Sequence, residues 1–197
     1  MIISEKALIR SGAEAKVYKK KDFIFQEGEQ PRYYFQILHG NVSLKNYQED
    51  GKEFIQNFFN DGDSIHESSL FDGSQYAVNA VADSDSIIYR LDKVKFLDLV
   101  DSSSEIKDSI NINSAKAIKF LMVKNIVFKD PIVKILHIIN FLKIPTIKHH
   151  GKYEFVVPFT RAQLASITGL CVETVIRVIR KIELSGKLFI INGKVYL

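Results

Sequence analysis

The chain has 197 residues, a net charge of +4 and 46% hydrophobic residues, which suit one large domain or two small ones with a normal buried core. No apolar run reaches the roughly 18 residues that a membrane span requires. Residues 1–10 lack the apolar segment of a signal peptide. We therefore expect a cytoplasmic protein without a membrane partner.

Cys171 is the single cysteine of the chain. It excludes an intrachain disulfide, a multi-cysteine zinc site and a cysteine-ligated iron–sulfur cluster. We expect it to be a small apolar packing residue. Because the histidines and acidic residues show no metal-ligand spacing either, we predict no metal site and no cofactor.

The positive charge is concentrated in the C-terminal third. Residues 131–197 have a net charge of +7, whereas residues 1–130 have a net charge of −3. A basic segment on a slightly acidic body is typical of a module that binds a polyanion such as nucleic acid. Many folded domains have a net charge of +7 and do not contact nucleic acid. The charge is therefore evidence for nucleic-acid binding only together with a binding motif.

Residues 16–91 have the pattern of a compact β domain. Short runs of β-branched and aromatic residues alternate with turns, and the turn glycines Gly28, Gly40, Gly51 and Gly62 recur every 11 or 12 residues. This rhythm is typical of an all-β barrel or sandwich. We predict strands over residues 23–25, 33–38, 42–47, 54–59, 76–82 and 86–91.

The pattern changes to helical spacing after Asp92. We predict a short helix over residues 93–101 and a long one over 105–128. The long helix spans about 35 Å, which is more than a small barrel needs on one side, so we expect it to supply a dimer seam; the alternative is that it packs wholly on its own barrel. Its apolar stripe consists of Ile106, Ile110, Ala115, Ile118, Leu121, Met122 and Ile126, and it is interrupted by Asn111, Asn113 and Ser114.

A boundary follows at Asp130-Pro131, because Asp caps a helix start and Pro suits its first position. We predict a helix over residues 132–143 and then a strand pair near Ile147 and residues 153–157. His149-His150 is expected to lie on a solvated loop. The predicted domains are residues 1–104, 105–130 and 131–197.

Residues 160–184 have the pattern of two helices joined by a tight turn. Thr160 is a predicted N-cap for a helix over 161–168, and Gly169 supplies the turn. Small Ala165 allows the two helices to cross closely. The predicted inward face of the second helix, over 172–184, consists of Val175, Val178, Ile179 and Ile182. These features together predict a helix-turn-helix.

Basic and polar residues occupy the outward face of the second helix. Glu173 is suited to accept from a cytosine amino group, and Arg177 to bind guanine in bidentate fashion. Asn192-Gly193 predicts a type I′ hairpin directly afterwards, which would form a wing. The predicted DNA contacts are Thr160, Arg161, Val172, Glu173, Thr174, Arg177, Arg180, Lys181 and Lys194.

From about Lys16 onward the chain resembles the CRP/FNR family of bacterial regulators. The matching features are Gly40, Gly51, the run Gly-Asp-Ser-Ile-His-Glu at 62–67, and Leu70-Phe71. Phe159-Thr160-Arg161 and the run Gly-Leu-Cys-Val-Glu-Thr-Val-Ile-Arg at 169–177 complete the match, and the Val-Glu-Thr opening is similar to the FNR side.

The resemblance implies an α+β protein with a cyclic-nucleotide-binding-like β-roll, a long dimerisation helix and a C-terminal winged helix-turn-helix. It also implies a homodimer that binds double-stranded DNA at a two-fold symmetric operator. RNA polymerase is a partner by the same resemblance.

The effector pocket departs from the pattern of the members that bind cyclic AMP. Glu67 matches their ribose-binding acid, but His66 stands where glycine is expected and Tyr76-Ala77 where an Arg-Ser pair binds the phosphate. Losing that arginine removes a charge-assisted contact worth about 1.5–3 kcal/mol. Lys119 and Phe120 occupy positions where small hydroxyl residues contact the base, and the FNR-type cysteine cluster is absent. We predict that cyclic AMP is not an effector.

Two alternatives stay open. The chain is either a DNA-binding regulator or a ligand-sensing module that regulates a protein partner, and the basic outward face favours the first. No nucleophile–base pair, phosphate-cradling loop or metal spacing supports an enzyme, so we predict no catalytic residues. Within the first alternative, the regulator is either switched by an unidentified small molecule or active without ligand.

Overall fold

The computed structural model describes residues 1–125, 130–143 and 154–197. The chain forms two compact units, Met1–Lys119 and Phe120–Leu197. The boundary between them lies inside the long helix, and the three-part division at residues 104 and 130 stays a prediction. Ile126 and Phe128 of the predicted long helix, Ile147 and Tyr153 of the predicted strand pair, and His149-His150 lie outside the described residues.

The N-terminal unit contains two antiparallel sheets, as expected for a β-roll. The first has the strand order β1-β7-β3 and the second the order β2-β6-β4-β5. The strands are β1 Glu14–Tyr18, β2 Phe23–Phe25, β3 Tyr33–His39, β4 Val42–Tyr47, β5 Glu53–Phe59, β6 Asn79–Ala82 and β7 Ser86–Asp92.

All six predicted strands are present, nearly with the predicted bounds, but the unit has seven strands. The strand predicted over residues 76–82 begins only at Asn79, because the backbone of Tyr76 instead pairs with that of Gly28 and Glu29. The sequence pattern missed β1, four of whose five residues are exposed, so it shows little of the hydrophobic alternation that marks a half-buried strand.

Two apolar clusters stabilise the N-terminal unit. The first lies between the sheets and contains Phe25, Phe35, Ile37 and Ile65. The second includes residues of β3, β7 and several helices. These helices are α1 Glu5–Arg10, α2 Ser68–Asp72, α3 Lys93–Ser102 and α4 Ser104–Asn125.

The apolar residues of α4 fall on two faces rather than on one. Ile110 is buried and Ile106 half-buried in the second cluster. By contrast, Ile112, Ile118 and Met122 are 57%, 56% and 67% exposed, and Ala115 between them is exposed too. The single stripe expected from the sequence is therefore divided, and a row of exposed apolar side chains runs along the helix at intervals of three to four residues.

After α4, the described residues of the C-terminal unit form three helices and a small sheet. The elements are α5 Pro131–Lys143, α6 Arg161–Thr168, α7 Val172–Leu184, β8 Phe189–Ile191 and β9 Lys194–Tyr196. Phe155 and Leu197 exchange backbone hydrogen bonds, and Val157 N donates to the Val195 carbonyl, so residues 155–157 add a third strand-like edge to the β8-β9 hairpin. The buried residues in the apolar stripe of α5 are Ile135, Ile138 and Ile139.

No single helix in the described parts of the chain is long and apolar enough to cross a membrane. The pair α6 and α7 passes that test only when the two helices, which are bent by 108°, are counted together.

Candidate functional site

Helices α6 and α7 form a helix-turn-helix. The Thr160 hydroxyl accepts a hydrogen bond from Gln163 N while the Gln163 side chain accepts one from Thr160 N, which is a complete capping box. Gly169 ends α6 with φ of +71°, a conformation that disfavours any residue with a Cβ atom. The 108° bend between the helices lies in the range of helix-turn-helix motifs.

The inward face of α7 is buried as the sequence predicted. Val175, Val178, Ile179 and Ile182 are at most 7% exposed, and Leu164, Ala165 and Ile167 of α6 are buried with them. Burying four branched side chains fixes the rotation of α7 about its own axis, because any other rotation would bring the cations of the opposite face into the core.

The outward face of α7 presents its polar residues to solvent. Glu173, Arg177, Arg180 and Lys181 are exposed, as is Val172 at the first position of the helix. The Arg180 guanidinium pairs with Glu183, which offsets part of its charge. Arg177 has no ion pair among the described residues and is the cation nearest to the start of the helix.

A hairpin follows α7 and forms a wing. Asn192 and Gly193 both have positive φ, +48° and +77°, as a type I′ turn requires. The Arg161 guanidinium donates to the Gly193 carbonyl, which ties the start of α6 to the tip of the hairpin. Exposed Lys194 lies beside this turn, so cations of α6, α7 and the wing belong to one unit.

Cys171 is not the packing residue that the sequence suggested. It is exposed and occupies the N-cap position of α7. Its Sγ lies 2.9 Å from the Thr174 hydroxyl, and this hydrogen bond lowers the pKa of the thiol. The side chain of Thr174, one of the predicted DNA contacts, is thereby oriented at the first turn of the helix.

In the N-terminal unit, Glu67 lies in a buried polar cluster. Its carboxylate accepts from the Ser64 hydroxyl at 2.8 Å, from Asn113 Nδ2 at 3.0 Å and from the Ser114 hydroxyl at 3.4 Å. Glu67 and Asn113 are 4% and 7% exposed. The carboxylate therefore joins the loop before α2 to helix α4 and has its hydrogen bonds within the protein.

The other residues of the predicted effector pocket do not all lie beside the Glu67 side chain. His66 has φ of +53°, which explains why glycine is favoured at this position, and burial lowers the pKa of its imidazole. Its ring lies 6.1 Å from that of Tyr76. Ala77 is exposed, and so is Lys119. Phe120 belongs to the C-terminal unit and packs on Phe141, with 6.0 Å between ring centroids.

Known proteins similar to this chain share both units. Residues 15–103 match the family model of the cyclic nucleotide-binding domain. The cAMP-activated global transcriptional regulator CRP of Escherichia coli O6:H1 is 26% identical over 170 residues, covering 84% of this chain and 80% of that protein. Most of the chain is therefore similar to CRP/FNR regulators.

Solved structures of bacterial regulators have the same fold. The c-di-GMP responsive global regulator CLP of Xanthomonas campestris aligns with a TM-score of 0.76 at 19% identity, over 98% of this chain and 99% of that one. FixK2 of Bradyrhizobium japonicum aligns with a TM-score of 0.74 at 19% identity, over 94% of this chain and 92% of that one. The α+β fold predicted from the sequence is confirmed.

Sequence reasoning missed the hydrogen-bond partners of Glu67. Asn113 and Ser114 were noted only as interruptions of an apolar stripe, yet they are the α4 residues that bind the carboxylate. A signal was present, since paired polar residues inside a helix that packs on a core need a buried partner. No local pattern identifies a partner that lies 46 residues away.

We expect Asn113→Ala to lower the free energy of unfolding by about 1–3 kcal/mol, because it removes a hydrogen-bond donor from a buried carboxylate. Asn111→Ala is the matched control: it removes the same side chain from the same helix at an exposed position and should change stability by less than about 0.5 kcal/mol. Urea unfolding of both variants measures the difference. Equal effects would mean that the Asn113–Glu67 contact contributes nothing beyond helix propensity.

Proposed function

We propose that this chain is a sequence-specific transcription regulator that binds a two-fold symmetric operator as a homodimer. The observation that carries the proposal is the outward face of α7, where Arg177, Arg180 and Lys181 lie opposite a fully buried apolar face. A helix held in this way by its core presents its first turns to the major groove with a defined rotation.

Each contact residue has a role that its position supports. Glu173 and Arg177, exposed near the start of α7, are the proposed base readers, for cytosine and guanine respectively. Val172 begins the same helix and supplies an apolar contact there. Phosphate contacts, which set register but not sequence, are assigned to Thr160, Arg161, Thr174, Arg180, Lys181 and Lys194.

The exposed face of α4 supports the homodimer. Ile112, Ala115, Ile118 and Met122 form a solvent-exposed apolar row along a helix of 22 residues. Burying such a row against its symmetry mate is favourable by about 25 cal/mol per Å² of apolar area. An isologous contact along α4 would relate two winged helices by a two-fold axis, as a symmetric operator requires.

The Glu67 cluster supports independence from cyclic AMP. A nucleotide ribose would have to displace the Asn113 and Ser64 donors from the carboxylate, and Tyr76-Ala77 offers no guanidinium for the phosphate. We therefore expect no binding of cyclic AMP at physiological concentrations. Isothermal titration calorimetry tests this, and a dissociation constant in the low micromolar range would overturn it.

The experiment that tests the proposed function is selection of binding sites from random duplex DNA at physiological salt, with and without cyclic AMP. We expect one two-fold symmetric site to be enriched equally in both. Enrichment of a site without symmetry would contradict the homodimer. No enrichment with purified, folded protein under either condition would favour the alternative in which the chain regulates a protein partner.

For the wing, we expect Lys194→Ala to weaken binding to all DNA sequences about equally. A lysine that neutralises one phosphate contributes about 0.9 to the slope of log K against log salt, so the variant should flatten that slope by about one per protomer. Titrations of operator and random DNA at several salt concentrations measure both effects. A loss confined to the operator would instead make Lys194 a base reader.

A further inference from the structure

A cavity of about 400 Å³ opens in the N-terminal unit, and residues of both sheets line it. Its volume lies within the roughly 300–1,000 Å³ of small-molecule pockets. Glu67 and Ala77 do not line it. The cavity is therefore separate from the carboxylate at the position that holds ribose in the relatives that bind cyclic AMP.

Aromatic side chains form the inner wall of this cavity. The Phe25 and Tyr76 rings are stacked with centroids 3.7 Å apart, and the Phe35 ring lies 5.9 Å from that of Phe25. Three parallel or tilted rings in one wall favour a flat, apolar ligand body.

Two tyrosines with largely buried side chains also line this cavity. Tyr18 and Tyr76 are each 4% exposed as whole residues. Neither hydroxyl is hydrogen-bonded within the described part of the chain, so each can donate a hydrogen bond to an acceptor group of a ligand.

Cations surround the outer part of the cavity. The Arg90 guanidinium lies 4.4 Å from the centroid of the Tyr33 ring, and Lys16 Nζ lies 5.1 Å from that of Tyr18. Arg32 is a third cation in the lining, and Glu29 is its one carboxylate. Glu29 already accepts a hydrogen bond from Gln26 N at 3.1 Å. The lining thus has an excess of two positive charges.

Neither arginine is committed to a strong internal ion pair. Arg90 contacts Glu14 at 3.1 Å, but the Glu14 side chain is 73% exposed, and such surface pairs contribute little. The Arg32 side chain is exposed. Both guanidinium groups therefore have donors to offer a carboxylate, which they bind better than lysine does because their planar fork matches it.

We propose that this cavity is an effector site for an aromatic carboxylate. The ring of the ligand packs against Phe25 and Tyr76, and its carboxylate binds Arg90 and Arg32. Binding itself is a property of the N-terminal unit. Only the further step, that the ligand alters DNA binding, rests on the proposed function.

The test compares 2-naphthoate with 2-naphthamide, which have the same ring system and nearly the same shape but differ in charge. Calorimetry on the full chain should show one site per protomer, with the carboxylate bound at least about tenfold more tightly, because its hydrogen bonds to guanidinium are charge-assisted. Equal affinities for the two compounds, or no saturable binding of 2-naphthoate, would overturn the proposal.

Variants of residues that line the cavity test whether 2-naphthoate binds there. Arg90→Gln and, as a second variant that leaves the Glu14 contact intact, Arg32→Gln should each weaken 2-naphthoate binding about tenfold and leave 2-naphthamide within about twofold. Tyr76→Phe keeps the ring stack and should weaken the carboxylate more than the amide. Arg10→Gln, an exposed arginine of α1 outside the cavity, is the matched control. A comparable loss in that variant would overturn the assignment.

Site selection with 2-naphthoate separates this proposal from the proposed function. An operator selected in the absence of ligand but no calorimetric binding would reject the effector site and leave the regulator intact. Calorimetric binding without any selected DNA would support the ligand site and reject the DNA-binding function.

Discussion

Replacing Arg177 with alanine is expected to relax the sequence preference at one base pair of each half-site and to weaken operator binding by about 1–3 kcal/mol per contact. Arg177 is exposed near the start of α7, and Val175 and Val178 on either side of it are buried. The core therefore fixes the direction of its side chain, and the loss should be specific to the base that it reads.

The measurement is a second site selection with the Arg177→Ala variant, followed by titrations on the wild-type operator and on each single base change. Lys194→Ala is the control, since it should weaken every sequence equally. One position that loses its preference in the first variant and in no other would identify the base. Uniform weakening by both variants would show that Arg177 contacts phosphate.

Replacing Gly40 with alanine is expected to destabilise the β-roll by roughly 2–5 kcal/mol, combining the strain of positive φ with overpacking. Gly40 lies between β3 and β4 with φ of +114°. A Cβ atom there would lie 2.1 Å from the Ser86 hydroxyl and 2.8 Å from the Ser86 Cα atom. Because the backbone of β7 is the obstacle, a change of rotamer cannot relieve the contact.

The variant Gly51→Ala separates the contribution of backbone strain from that of overpacking. Gly51 also has positive φ, +80°, but a Cβ atom there meets nothing within 4 Å, so only the backbone strain of about 1–2 kcal/mol is expected. Urea unfolding of both variants, followed by circular dichroism, measures the difference. Equal destabilisation would mean that β7 moves aside and that the close approach at Gly40 is tolerated.

The helix-turn-helix could be predicted from the sequence because every feature that defines it is local. Thr160 and Gly169 mark the ends of α6, and the spacing of Val175, Val178, Ile179 and Ile182 defines the buried face of α7 within 13 residues. The Asn192-Gly193 turn is also a local feature, since two adjacent residues define it. Each of these positions was predicted, and the structure confirms them.

The effector region could not be predicted in the same way, because it depends on contacts between distant segments. The match of Glu67 to a ribose-binding acid predicted that this carboxylate belongs to an effector pocket. In the structure the same carboxylate binds Asn113 of α4, and the cavity instead lies where Tyr18, Phe35 and Arg90 of three paired strands meet Tyr76. No one segment of sequence contains this set.

The sequence by itself determined the order of most elements and the caps and buried face of the helix-turn-helix. All of these depend on residue types at short spacing, where capping, periodicity and turn chemistry act. The tertiary structure alone decided which α4 side chains face the β-roll, and which tyrosines and arginines share a cavity. Strand pairing and helix packing bring together residues tens of positions apart, and short-range patterns contain no information about that pairing.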